Sequence, residues 1–209
     1  MGRARWRGRS GGCECGCGCA GSNNFKINAN VLQKTAASML PFYSAVATSK
    51  RFATLWSRAV VTANLKWMEK LLASVAPHAA RQGLGTNGIG YFVDVGFPRL
   101  VYTNGTTIPP GTVQFVFDPK VHQAIAQAVL PLYRRLACDR TFACKLAIAI
   151  RRGNRRLVNV LVRSRVHTAA LKAVKIEDEG IALSFHYPFS KFKYRNLLFG
   201  ERFFKRRRR

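Results

Sequence analysis

The chain has 209 residues, enough for one sizeable core, and its 48% hydrophobic content excludes wholesale disorder. Thirty-five Lys and Arg stand against nine Asp and Glu, a formal charge of +26, so a compact state repels itself unless a polyanion screens it. No apolar run reaches the ~18 residues of a membrane-spanning helix and no hydrophobic signal core follows Met1, so the expectation is a soluble, intracellular, non-secreted protein.

Residues 1–24 are Gly, Arg and Cys with a single large apolar side chain, Trp6, and read as a disordered arm. Cys13, Cys15, Cys17 and Cys19 form C-x-C-x-C-x-C, which can clamp one soft metal ion. Zinc sites use wider pairs from two separate places, so these four are weak metal candidates and no cofactor is expected. Acylation is the other use of such cysteines. Met1-Gly2 invites it, but Trp6 stands where a myristoylation signal wants Ser or Thr. Arg3, Arg5, Arg7 and Arg9 also fit an Arg-rich mitochondrial leader, which the glycines and Glu14 weaken.

Residues 25–204 read as one α+β domain. The N-terminal segment is helical: a short helix from Val31 closed by Pro41, then a longer one capped by Ser49 and ended by Pro77 and Gly83. A central β segment follows, with strands at YFVDV, RLVYT and TVQFVF and an Asn-Gly turn and Pro-Pro corner in TNGTTIPPG. GLGTNGIG (residues 83–90) reads as a flexible connector, since a phosphate-binding glycine loop would follow a strand and open a helix. A second helical segment starts with Asp118 as N-cap and Pro119 in the first turn. It is interrupted at Pro131 and resumes to about Arg152, where Gly153-Asn154 closes it. RLVNVLVRSRV alternates and reads as a strand with a basic outer face. A C-terminal hairpin turns at Glu177-Asp178-Glu179-Gly180, and the Leu- and Phe-rich stretch after Phe192 is expected to dock on the core, breaking at Gly200. No internal repeat is apparent. Cys138 and Cys144 fit buried reduced thiols.

The strongest signal is cationic. Arg134, Arg135, Arg140, Lys145, Arg151, Arg152, Arg155, Arg156, Arg163 and Arg165 crowd a short stretch opposed only by Asp139. Arg134, Thr141, Lys145 and Arg152 are spaced to share one helical face. The Arg bias, 23 against 12 Lys, suits phosphate because guanidinium forks pair bidentately with its oxygens. Residues 205–209 form a basic tail in which Arg206, Arg207, Arg208 and Arg209 are an auxiliary phosphate contact or a nuclear address.

Catalysis has little support: the four histidines are scattered, and Asp94 in YFVDVG is the only acid inside an apolar strand pattern, best read as an ion-pair partner. The expectation is a non-enzymatic, nucleic-acid-binding structural protein of nucleoprotein, packaging or ribosomal type, viral or cellular. It would take RNA before DNA, read little base sequence and sit in a nucleus or nucleoprotein particle, alone or in a larger assembly. The competing expectation is a peripheral or matrix-type protein on an anionic membrane surface.

Overall fold

In the computed structural model, residues 27–98 and 100–202 are described, and the expected α+β class holds. The arm with Cys13, Cys15, Cys17 and Cys19, and the tail Arg206–Arg209, lie outside the described residues.

The chain runs through helices α1 (Ala29–Thr48), α2 (Lys50–Val61), α3 (Leu65–Val75) and the one-turn α4 (Pro77–Ala80) into strands β1 (Leu84–Thr86), β2 (Gly90–Phe97) and β3 (Leu100–Thr107). It then repeats the order with α5 (Pro119–Cys138), α6 (Arg140–Arg151), α7 (Arg155–Arg163), β4 (Leu171–Glu177), β5 (Gly180–Phe185) and β6 (Tyr194–Arg202). The strands make one antiparallel sheet in the order β1-β2-β3-β6-β5-β4. Each half contributes three strands, and the halves meet where β3 pairs with β6.

The expectation of no repeat is overturned. Residues 27–107 and 117–202 are two copies of one unit, and through the helices equivalent residues lie ninety positions apart. Asn28 and Asp118 cap α1 and α5 by accepting from Val31 and Val121 backbone N–H groups. Ser49 and Asp139 cap α2 and α6 on Phe52 and Phe142, and Asn64 and Asn154 cap α3 and α7 on Trp67 and Leu157. The residue before that last cap is left-handed in both copies, Ala63 at φ 50° and Gly153 at φ 63°. A Cβ at Gly90 would lie 2.5 Å from Thr107 Cα, and one at the equivalent Gly180 would lie 2.5 Å from Phe199 Cα. Glycine is required there because a neighbouring strand passes too close.

The long helices α1 and α5 pack antiparallel across the seam. Gln33 of α1 donates to Ala137 O near the end of α5, and Gln123 of α5 donates to Val46 O near the end of α1. Beneath them lies a closed, fully buried ring of hydrogen bonds. Tyr43 Oη donates to Asn104 Oδ1 (2.8 Å), Asn104 Nδ2 donates to Tyr133 Oη, Tyr133 Oη donates to Asn196 Oδ1 (3.2 Å), and Asn196 Nδ2 donates to Tyr43 Oη (2.7 Å). Each asparagine also donates across the seam, Asn104 to Leu197 O (2.8 Å) and Asn196 to Gly105 O (3.2 Å). Every polar atom in the ring has a partner, which buried amides and phenols require.

Several local expectations fail, each for a physical reason. Pro41 does not close a helix and Pro131 does not interrupt one; both sit inside twenty-residue helices on their exposed faces, where water can reach the carbonyl a proline leaves unbonded. Conversely, the helix expected from Ser49 breaks at the left-handed Ala63, and Asn64 recaps the next one. RLVNVLVRSRV is helix α7 and its flank, not a strand: Val158 and Val162, four apart, are buried at 1% and 0% exposure while Val160 is 59% exposed. Asn104-Gly105 is no turn but the middle of β3, fixed by the ring. TVQFVF forms no strand, and its Phe115 is exposed with φ 53°. GLGTNGIG is β1 and its turn into β2, with Leu84, Gly85 and Thr86 paired to Val93, Phe92 and Tyr91 of that strand. Gly200 does not end the last segment, since β6 continues through it as a central strand of the sheet. Cys138 is exposed, against the burial expected of it, and Cys144 is buried but disulfide-bonded rather than a reduced thiol.

Candidate nucleic-acid interface

The basic positions gather on α5, α6 and α7 of the second copy. Arg134 and Arg135 lie near the end of α5, Lys145 in the middle of α6, Arg151 at its end and Arg152 at its C-cap. Arg155 and Arg156 open α7 and Arg163 closes it. All are exposed; Arg165, just beyond α7, is half-buried. Arg134 does not share one helix with Thr141, Lys145 and Arg152 as the spacing suggested, because Asp139 ends α5 and caps a separate α6. Nor do Arg163 and Arg165 point together from a strand. Arg163 is held by Asn159 Oδ1 (2.7 Å) and Leu171 O (3.3 Å), while Arg165 turns back toward the α5–α6 corner.

Two groups result. Arg151, Arg152, Arg155 and Arg156 surround the left-handed Gly153 at the α6–α7 corner. Arg134, Arg135, Arg140 and Arg165 line a cleft of about 600 Å³ between the end of α5 and the start of α6. Arg140, Arg155 and Arg156 lie in first turns that contain no acidic residue, though Asp139 caps the turn that Arg140 opens. A cation at that positive helix end costs ~0.3–1 kcal/mol, so helix stability does not account for their placement.

The repeat supplies an internal comparison. The positions equivalent to Arg134, Arg135, Lys145, Arg151, Arg152, Arg155, Arg163 and Arg165 are Ser44, Ala45, Leu55, Val61, Thr62, Leu65, Ala73 and Val75. The same fold therefore forms with neutral side chains at all eight. The first copy has its own cations, among them Lys50 and Lys66 opposite Arg140 and Arg156, but no cluster at either corner.

The other polar candidates are structural. Asp94 accepts from Thr103 Oγ1 (2.6 Å) and has no ion-pair partner among the described residues, against the ion pair expected of it. His122 is fully buried with Nε2 3.1 Å from Tyr91 Oη, and burial pulls its pKa down to about 3. It is a neutral core residue standing where the first copy has Leu32. Burial likewise raises the pKa of Tyr43, Tyr91 and Tyr133, keeping the phenols protonated. Among the described residues no group of His, Cys, Asp and Glu could hold a metal, and no helix is long and apolar enough to cross a membrane.

No family model, curated protein or solved structure matches the chain.

Proposed function

We propose that the protein binds nucleic acid, RNA before DNA, through phosphate contacts along the α5–α6–α7 face, with little base selectivity, as a component of a nucleoprotein particle. The observation that carries this is the internal comparison. Eight cations on one copy replace neutral residues that serve the same scaffold in the other, so the fold does not need them. Arginine dominates the set, and its planar fork matches phosphate.

The test is binding of a random single-stranded RNA at two salt concentrations. A surface neutralising six to ten phosphates loses ~10³–10⁵ in affinity between 50 and 200 mM salt. Replacing Arg151, Arg152, Arg155 and Arg156 by Gln should lower affinity at 50 mM by roughly tenfold to a thousandfold, counting ~0.4–1 kcal/mol per exposed contact. Wild-type affinity on anionic vesicles exceeding that for RNA would replace this reading with the membrane one.

A further inference from the structure

We propose that the cleft between the end of α5 and the start of α6 is a seat for one phosphate group. This deepens the reading above, since that group would belong to the RNA backbone, but the seat is defined by its own chemistry. Four arginines, Arg134, Arg135, Arg140 and Arg165, line it against a single acidic residue, Asp139. That carboxylate is already committed: Oδ1 caps α6 by accepting from Phe142 N (2.9 Å) and Oδ2 pairs with Arg135 at 2.5 Å. Arg134, Arg140 and Arg165 have no acidic partner among the described residues.

Arg165 is the decisive group. Its Nε is buried and has no hydrogen-bond partner among the described residues. Leaving a charged donor buried and unsatisfied is costly, more so than for a neutral one. Its guanidinium carbon and that of Arg135 each lie 6.0 Å from the centroid of the buried Phe142 ring, which forms an apolar floor under both forks. An anion in the cleft would accept from the orphaned Nε–H and offset the mutual repulsion of the forks. At about 600 Å³ the space takes a phosphate together with its flanking nucleotide. The equivalent corner of the first copy carries Ser44, Ala45, Lys50 and Val75 and has no such cluster.

The test uses the full chain and two probes, inorganic phosphate and random single-stranded RNA. Phosphate should raise the thermal midpoint of the wild type above that in chloride at equal ionic strength. R165Q and the exposed pair R134Q/R140Q should each abolish that rise. Each should also weaken RNA binding about tenfold or more, with a salt slope smaller by ~0.7 for every phosphate no longer neutralised. The quadruple Gln variant at 151, 152, 155 and 156 should keep the phosphate effect. If R165Q does not fold, R134Q/R140Q carries the same comparison. A wild-type midpoint indifferent to phosphate, or a phosphate effect that survives in R134Q/R140Q, overturns the seat. A phosphate effect abolished in the variants, with no RNA binding by any form, upholds the seat and removes the RNA reading.

Discussion

Asn104 and Asn196 carry the seam between the two copies. Each donates to a tyrosine and to the opposite strand, and each accepts from the other tyrosine. Truncating one leaves buried hydroxyl and carbonyl groups without partners, at ~1–3 kcal/mol each. Asn104→Ala should therefore lower unfolding free energy by about 2–4 kcal/mol in urea titration. The two alanine substitutions together should cost less than the sum of the singles, because they dismantle one ring. His122 makes a second residue-scale prediction. Its folded pKa of about 3 lies below the unfolded 6.5, so between those values the unfolded chain binds a proton the native one does not. Stability should fall as pH drops through that window, by up to ~1.4 kcal/mol per unit, and be untouched by this group above it. His122→Leu, the residue the first copy uses, should flatten that stretch of the stability–pH curve; an unchanged slope would assign the acid sensitivity elsewhere.

Among the elements, two of the caps and the helix end at Gly153 were legible in the sequence, and the other caps and breaks were not. Ser49 and Asp118 announce themselves because a short acceptor before an apolar run has one good use. The tripeptide Thr-Asn-Gly occurs twice with opposite outcomes: Thr86-Asn87-Gly88 ends β1 and turns toward β2, whereas Thr103-Asn104-Gly105 runs straight through β3. Only the second asparagine meets two buried tyrosines, a tertiary fact that no local pattern contains. RLVNVLVRSRV satisfies both alternation and a four-residue helical step, and packing against the core chose the helix. Prolines read as helix stops hid the repeat, since Leu40-Pro-Phe-Tyr43 and Leu130-Pro-Leu-Tyr133 looked like one end and one interruption. The basic cluster was visible as composition, but its division into a corner and a cleft depends on the break at Asp139. The repeat also predicts an element-scale effect. Ala63 holds a left-handed backbone that Gly153 holds at no steric cost. Ala63→Gly should stabilise the protein by about 0.5–1 kcal/mol and Gly153→Ala should destabilise it by a similar amount, read from the denaturant midpoint.

For the molecule as a whole, a symmetric scaffold carries an asymmetric charge. The sheet, the seam and the caps are shared by both copies, while the arginine corners belong to one. Such an arrangement lets the surface change without touching the ring or the sheet that hold the fold together. The measurement that tests this account most directly is RNA affinity as a function of salt. It compares the wild type with a variant in which Arg134, Arg135, Lys145, Arg151, Arg152 and Arg155 take their first-copy identities: Ser, Ala, Leu, Val, Thr and Leu. The account predicts a folded variant with a urea midpoint no lower than that of the wild type, affinity down by at least a hundredfold at 50 mM salt, and a salt slope reduced by ~0.7 for each phosphate left unneutralised. Equal affinity and an equal slope in the two proteins would contradict it.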